Sequence, residues 1–240
     1  MSNVDPTQAE IAAIRARYGR RADRPANPLG ELAPDLLLRA QAYERALAHL
    51  LRDCGVRDVG RVSLLEVGCG EGINLLQFIR LGFNPALMVG NDLRAEAVDA
   101  ARRILPQTVR LVAGEASTTP LGAADGFDVV VQSTVFSSIL SDDLQLAVAQ
   151  RMWALTKPGG AVLWYDLGVN NPWNPDVRGV PLPRIATLFP HGRITARRVT
   201  LAPPVARKAA RLHPAIYTVL DAVPWLRSHL LCWIAKQAET

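Results

Sequence analysis

The sequence predicts an α/β fold in which a parallel β-sheet is covered on both faces by helices. From Val62 onward, short apolar runs alternate with stretches of helical periodicity. The apolar runs are continuous, as expected of strands that are buried on both faces. The chain has 240 residues and is 49% hydrophobic, so it can bury one large core without disulfide or metal support.

The first part of the chain is predicted to form helices that precede this sheet. Asp5-Pro6 is a favourable helix start, because the carboxylate can cap free N–H groups and proline suits the first helical position. A second helix is predicted over residues 34–52, where apolar residues recur at helical spacing. We therefore expect a helical cap over residues 1–60 and a second unit over residues 61–240.

The remaining elements follow in order along the chain. Strands are predicted over 63–67, 86–90, 109–113, 127–132 and 161–165. The helices between them are predicted over 73–80, 94–105 and 142–155, with Ser141 as the cap of the last one. Lys157–Gly160 predicts a turn before the fifth strand. The later elements are a short helix near 184–189, a strand over 193–201, a helical segment and a final strand over 230–236.

A glycine-rich segment, EVGCGEG, joins the first predicted strand to the first predicted helix of the sheet region. Glycines at this place permit a tight turn and let a nucleotide approach the backbone closely. The dinucleotide spacing G-x-G-x-x-G would require glycine where this chain has Ile73. A pyrophosphate also favours bare N–H groups, whereas this loop carries Glu66 and Glu71. The loop therefore favours a ligand that carries no phosphate.

Polar side chains follow the next three predicted strands. Asp92 lies about 20 positions after Gly72, the spacing at which a carboxylate binds ribose hydroxyls. The alternative role of Asp92 is to cap the helix that begins at Arg94. Glu115 can accept a hydrogen bond from an adenine amino group, and Gln132 ends the fourth strand. Open α/β sheets bind ligands at these carboxyl ends of strands.

These segments resemble the successive motifs of class I S-adenosylmethionine-dependent methyltransferases. The matching segments, which span residues 62–166 in the same order, are LLEVGCGEGINL, GNDL, GEA, FDVVVQ and LTKPGGAVLWYD. The resemblance implies a Rossmann-like, doubly wound, seven-stranded sheet that is mostly parallel with an antiparallel last strand. It also implies S-adenosylmethionine as the cofactor. The residues implied to contact this cofactor are Glu66, Gly68, Cys69, Gly70, Gly72, Asp92, Leu93, Glu115, Ala116 and Gln132.

Other segments are similar to methyltransferases of bacterial polysaccharide and glycan assembly clusters. These segments are RYGRR, QSTVFSSI, WYD, NNPWNPDVRG and RRVTLAPP. The resemblance implies methylation of an oxygen on a glycan precursor or another small molecule. Asp166, at the end of the fifth strand, is the candidate to orient or deprotonate the acceptor. Tyr18, Asn171 and Arg178 are candidate acceptor contacts; the alternatives are helix packing, an Asn-Asn-Pro turn and an ion pair with Asp176.

Three other functions stay open. The chain could be a natural-product methyltransferase acting on a phenol, an amine or a carboxylate. It could also be a non-catalytic partner subunit that binds the cofactor, because no unmistakable general base is present. A nucleic-acid substrate is supported only by the net charge of +5. No Asn/Asp-Pro-Pro-aromatic motif follows the fourth strand, which argues against DNA amino-methylation and makes nucleic acid an unlikely partner.

Cysteine usage and hydropathy predict a cytoplasmic protein. The three cysteines are scattered and form no CxxC pair, so we expect neither a disulfide framework nor a metal site. The apolar stretch 213–235 is interrupted by proline and charged residues and does not qualify as a membrane span. Segment 202–231 mixes basic and apolar residues, which fits either a helix packed on the sheet or peripheral contact with the inner face of a membrane. The oligomeric state does not follow from the sequence.

Overall fold

A seven-stranded sheet forms the centre of the protein. The structure, a computed structural model, describes residues 6–22, 30–122, 126–171 and 173–238. The strands are β1 (Leu64–Val67), β2 (Met88–Asp92), β3 (Arg110–Ala113), β4 (Phe127–Ser133), β5 (Thr156–Leu167), β6 (Arg193–Leu201) and β7 (Arg227–Ala235). Their spatial order is β3-β2-β1-β4-β5-β7-β6. The first five strands are parallel, and β7 is antiparallel to both β5 and β6. The predicted mostly parallel sheet with an antiparallel last strand is confirmed.

The helices cover both faces of this sheet. They are α1 (Pro6–Ala22), α2 (Pro34–Asp53), α3 (Ile73–Arg80), α4 (Ala95–Ile104), α5 (Asp142–Leu155), α6 (Leu182–Leu188), α7 (Pro203–Leu212) and α8 (Pro214–Asp221). The Ser141 hydroxyl accepts a hydrogen bond from the Leu144 N–H at 3.3 Å, which confirms the predicted cap of α5. The helix start predicted at Asp5-Pro6 falls partly outside the described residues, because Asp5 is not among them.

Two apolar cores lie on opposite faces of the sheet. One contains Ile11 and Ile14 of α1 together with residues of α5 and α6. The other contains Tyr43 and Leu47 of α2 together with residues of α3 and α4. Successive strand residues alternate between the two cores, as the two-residue period of a strand requires. Because α1 and α2 both contribute to these cores, the proposed division between residues 1–60 and 61–240 stays a prediction.

The predicted turn at Lys157–Gly160 lies within β5 rather than before it. Phe127 of β4 is opposite Thr156, but Val129 is opposite Ala161, so the register shifts in a bulge. Lys236, which follows β7, pairs with the bulged segment: the Gly159 N–H donates to the Lys236 carbonyl at 3.0 Å. Gly159 has a φ of +77°, so the backbone leaves the extended conformation at this glycine.

The third, smaller core joins the C-terminal helices to α2 and β6. Its buried members include Leu201 of β6, Ala206 of α7 and Tyr217 of α8. Strand β7 begins at Arg227, earlier than predicted, because Arg227 and His229 pair with β6 and His229 also pairs with β5. None of the described helices is long and apolar enough to cross a membrane.

Candidate active site

The glycine-rich loop between β1 and α3 makes a tight turn at the carboxyl edge of the sheet. Gly68 and Gly70 have φ values of +71° and +54°, which favour glycine. A Cβ atom at Gly68 would lie 2.3 Å from Cγ2 of Val135, so the loop after β4 packs directly on this glycine. A Cβ atom at Gly70 would meet nothing within 4 Å. The loop therefore presents bare backbone to open space at Gly70.

The carboxylate of Asp92 holds this loop against the start of α4. One oxygen accepts from the Gly70 N–H at 2.9 Å, and the other accepts from the Arg94 N–H at 2.9 Å. The side chain nevertheless borders both cavities described below. The capping role and the ligand-binding role predicted for Asp92 are thus compatible, because each carboxylate oxygen can accept more than one hydrogen bond.

The inner cavity lies between the carboxyl ends of β1 to β4 and helix α1, and its volume is about 80 Å³. Its walls are mostly apolar, and Glu115 supplies a carboxylate that also accepts a hydrogen bond from Ser117. The predicted site residues that line the inner cavity are Tyr18, Gly68, Asp92, Leu93, Glu115 and Ala116. The structure thus brings together residues that are far apart in the sequence.

Helix α1 closes one side of the inner cavity and is attached to the loop after β4. The Arg17 guanidinium donates to Glu10 at 2.6 Å and to the Ser138 carbonyl at 3.1 Å. The Glu10 carboxylate also accepts from the Leu140 N–H at 2.7 Å. Because Arg17 is buried, this ion pair is shielded from water and fixes the helix over the cavity.

The outer cleft adjoins the inner cavity and has a volume of about 960 Å³. Tyr18, Gly68, Asp92 and Arg94 line both spaces. Helices α2 and α3 form one side of the outer cleft, and β5 and β7 form another. Its further polar residues are Arg39, Glu44, Asn74, Gln77, Arg80, Ser133, Thr134, Tyr165 and His229.

Glu66 is a buried carboxylate beside the glycine loop. One oxygen accepts from the Asn74 side-chain amide at 2.9 Å, and the other has no hydrogen-bond partner among the described residues. Burial raises the pKa of Glu66 to about 8, in spite of the hydrogen bond from Asn74. Cys69 of the same loop is buried as well, and burial raises the pKa of its thiol, so it is not a nucleophile. Gly72 precedes α3 as its N-cap and packs on Leu105, which follows α4.

His229 is a residue of the outer cleft that the sequence analysis missed. Its Nδ1 lies 2.9 Å from the Ser228 hydroxyl, and its ring stacks on that of Tyr165. Burial and the nearby charge of Arg39 lower the pKa of His229 to about 4, so the imidazole is neutral near pH 7. The available signal was one polar residue within the apolar run of β7, whose neighbours in space the sequence does not show.

Asp166 and Gln132, like Glu66 and Gly72, lie outside the two cavities. The side chains of Asp166 and Gln132 are buried. The Asp166 carboxylate accepts from the N–H groups of Ser137 and Leu167, at 3.1 and 2.8 Å. The Gln132 side chain accepts from the Val135 N–H at 3.1 Å. In this structure, both side chains hold the loop after β4, and a catalytic role for Asp166 stays a prediction.

The predicted acceptor contacts on segment 170–179 also lie away from the two cavities. The Asn171 side chain accepts from the Trp173 N–H at 3.1 Å, as a turn residue does. Arg178 pairs with Asp142 rather than with Asp176, the partner considered from the sequence, because Asp176 pairs with Arg20 at 2.7 Å. Of the three predicted contacts, the structure places Tyr18 at the cavities and the other two outside them.

Comparisons with known proteins connect this site to one class of enzymes. Residues 64–160 match the sequence profile of a methyltransferase domain family. The chain is 27% identical over 127 residues to a tRNA N(3)-methylcytidine methyltransferase of Schizosaccharomyces pombe. This alignment covers 49% of this chain and 40% of that protein. It is 35% identical over 101 residues to a ribosomal protein L11 methyltransferase of Burkholderia lata, which covers 42% of this chain and 30% of that protein. The chain therefore matches less than half the length of these relatives.

The fold is also similar to that of a solved structure with bound S-adenosylmethionine. This structure is the magnesium protoporphyrin IX methyltransferase of Synechocystis PCC 6803, with a TM-score of 0.59 and 11% sequence identity. The alignment covers 98% of this chain and 99% of that chain.

The residues present fit S-adenosylmethionine. The apolar inner cavity and Glu115 suit an adenine ring, and Asp92 suits the ribose hydroxyls. The unpartnered oxygen of Glu66 is buried beside the glycine loop but outside both cavities, so a contact between Glu66 and the methionine part stays a prediction. Residues 64–160 therefore match a methyltransferase domain, within a fold shared with solved S-adenosylmethionine-dependent methyltransferases, and the site fits this cofactor.

Proposed function

We propose that this protein methylates an oxygen of a small-molecule or glycan-precursor acceptor that binds in the outer cleft. The observation that carries the proposal is the size and place of this cleft, about 960 Å³ and continuous with the inner cavity at Tyr18 and Gly68. Small-molecule sites have volumes of roughly 300–1,000 Å³, so the cleft is large enough for a sugar or a similar metabolite. Hydroxyl and amide side chains on its walls suit an acceptor with several hydroxyl groups.

His229 gives this cleft a proton acceptor. A hydroxyl group has to lose its proton when it becomes methylated, and histidine is the most frequent general base in enzymes. His229 lines the cleft and is neutral near pH 7. Its pKa of about 4 makes it a weak base, which can accept the proton of an acceptor oxygen that becomes positively charged on methylation. S-adenosylmethionine, when bound, supplies an activated methyl group on a positively charged sulfur. Asp166 would have to leave its hydrogen bonds with Ser137 and Leu167 to act as the base instead.

The test is a search for turnover with a panel of acceptors. The protein is incubated with S-adenosylmethionine and with nucleotide sugars, free sugars, phenols, amines or carboxylates, and S-adenosylhomocysteine is measured. We expect turnover with hydroxylated acceptors of the sugar type. Turnover only with phenols, amines or carboxylates would favour a natural-product methyltransferase. Tight cofactor binding without turnover on any acceptor would favour a non-catalytic partner subunit.

A second candidate function is methylation of RNA. The relative from Schizosaccharomyces pombe is a tRNA methyltransferase, and a basic cavity of about 350 Å³ lies on the other side of α2. The arginines that line this cavity are Arg45, Arg197, Arg198 and Arg227, and Asp221 of the same lining pairs with Arg227 at 3.5 Å. Such a cavity suits phosphate groups, and binding to them weakens steeply with salt. Salt-dependent binding of unmodified tRNA, together with its methylation, would favour this candidate over the first.

We also propose that the protein works at the inner face of a membrane, in contact with its surface. Leu212, Val219 and Trp225 are 74%, 67% and 81% exposed, although they are apolar. The preceding helix α7 carries the exposed basic residues Arg207, Lys208 and Arg211. Apolar side chains beside basic ones are typical of surfaces that bind anionic lipids. Co-sedimentation of the protein with anionic vesicles tests this contact. We expect Trp225→Ser to bind the vesicles more weakly than wild type.

A further inference from the structure

Arg39 is a cation of the outer cleft that has no counter-ion within the described part of the chain. It lies on α2, is half-buried and lines the cleft. The two other arginines of the cleft are paired: Arg80 with Glu44, and Arg94 with Asp92 at 3.5 Å. Among the described residues, Arg39 makes no ion pair and no side-chain hydrogen bond.

The charges along the cleft therefore do not balance. Its lining contains three arginines but two carboxylates, Glu44 and Asp92, and each carboxylate is held by another arginine. His229 contributes no charge near pH 7. A partly buried guanidinium is costly without a partner, because it has lost part of its hydration. One positive charge is thus left for a ligand.

The field of Arg39 acts at the end of the cleft that is formed by β5 and β7. Burial raises the pKa of Tyr165, and the charge of Arg39 opposes this rise. Burial is the main cause of the low pKa of His229, and the charge of Arg39 lowers this pKa further. Burial raises the pKa of Cys69 in the glycine loop, and there the charge of Arg94 opposes the rise. The charge of Arg39 therefore acts on Tyr165 and His229 of the cleft and on Tyr217 of α8, and Arg94 acts on the glycine loop.

We propose that Arg39 binds an anionic group of the methyl acceptor, either a carboxylate or a phosphate. The inference rests on the proposed function, since it takes the outer cleft as the acceptor site. A guanidinium binds both groups through two parallel hydrogen bonds, which also fixes the orientation of the acceptor. The rings of Tyr43 and Tyr165 lie 4.4 Å apart in the same cleft and offer apolar surface for the rest of the acceptor. The preferred acceptor is thus a hydroxylated anion rather than a neutral sugar.

The experiment measures the binding of simple anions to the full chain by calorimetry. The probes are phenyl phosphate and benzoate, with phenol and benzyl alcohol as neutral counterparts, and each is titrated with and without saturating S-adenosylhomocysteine. Wild type is compared with Arg39→Gln and with Arg52→Gln, an exposed arginine on the same helix that lines none of the cavities described here. The cofactor affinity of each variant is measured in parallel.

We expect wild type and Arg52→Gln to bind at least one anion, and Arg39→Gln to bind it about tenfold or more weakly with unchanged S-adenosylhomocysteine affinity. Preference for phenyl phosphate or for benzoate identifies the anionic group. Equal anion affinity in wild type and Arg39→Gln, or no anion binding by wild type, would overturn the proposal. Loss of cofactor affinity in Arg39→Gln would also overturn it, because Arg39 would then serve the methionine carboxylate. Failure of wild type to bind S-adenosylhomocysteine would instead contradict the proposed function. The titrations of anions in the absence of S-adenosylhomocysteine still test the role of Arg39 in that case.

Discussion

The rings of Tyr165 and His229 are stacked, with their centroids 5.0 Å apart and an angle of 11° between their planes. The stack connects β5 to β7 on the wall of the outer cleft. It keeps the imidazole in one orientation and partly removes it from water, which is why the ring stays neutral. A general base needs such a fixed position near the proton that it removes.

Replacing His229 tests this role. His229→Asn retains a polar side chain on the strand but cannot take up a proton, so we expect methyl transfer to fall by roughly 100-fold or more with cofactor affinity unchanged. In wild type, the contribution of His229 to the rate should be lost only as the pH falls toward 4, where the imidazole becomes protonated. His191→Asn, an exposed histidine, is the control. Full activity of the His229 variant would exclude the histidine as the base.

Glu66 should make the stability of the free protein depend on pH. Its ordinary pKa is 4.5, and burial raises this to about 8 in the folded chain. The folded state therefore holds more protons than the unfolded state between these values, and stability decreases as the pH rises from 4.5 to 8. Glu66→Gln has no proton to lose at this position. Over this range, the free energy of unfolding of the variant should therefore decrease by about 4 kcal/mol less than that of wild type.

Urea denaturation at pH 5 and pH 8 measures this difference. Glu71→Gln is the matched control, because Glu71 is exposed in the same loop and should leave the pH dependence as it is in wild type. The same pH dependence in Glu66→Gln and wild type would show that Glu66 is charged in the folded protein.

Asp92 is expected to contribute to cofactor affinity in two ways. Its carboxylate fixes the glycine loop through Gly70, and it faces the space assigned to the ribose. Asp92→Asn should weaken S-adenosylhomocysteine binding by about tenfold to 100-fold, because hydrogen bonds to a charged acceptor are the stronger ones. Calorimetry measures the affinity, and Asp99→Asn on the exposed side of α4 is the control. Unchanged affinity would mean that the ribose binds elsewhere.

The ion pair between Glu10 and Arg17 should determine how long the cofactor stays bound. Glu10→Gln removes the negative charge beside a buried guanidinium, which loosens α1 from the Ser138–Leu140 loop. We expect S-adenosylhomocysteine to dissociate about tenfold faster, as stopped-flow displacement would show. Glu96→Gln, an exposed change in the first turn of α4, should dissociate at the wild-type rate. An unchanged rate in Glu10→Gln would mean that α1 does not retain the cofactor.

The sequence predicts the sheet well, because the sheet depends on local patterns, whereas the cofactor contacts stay a prediction. Strand β6 and helices α3 and α5 have the predicted bounds. The glycine loop, Asp92 and Glu115 follow consecutive parallel strands, and such strands end at one edge of the sheet. Their spatial neighbourhood therefore follows from the order of elements alone.

The acceptor side is less predictable, because it depends on side-chain direction and on the position of β7. Side chains at successive strand positions point to opposite faces, so Tyr165 faces the outer cleft while Asp166 faces the loop at Ser137. One position thus separates a cleft residue from a buried one. His229 becomes a neighbour of Tyr165 through the pairing of β7 with β5, and Arg39 arrives from α2. Neither pairing leaves a local pattern in the sequence.

The position of α1 has a consequence for the order of events in each reaction cycle. The inner cavity meets the outer cleft at Tyr18, Gly68, Asp92 and Arg94, and α1 forms the wall beside this junction. An outward movement of α1 would widen both spaces at once, because Tyr18 belongs to this helix. Exchange of the spent cofactor and exchange of the acceptor would then share one rate, which would set an upper limit on turnover.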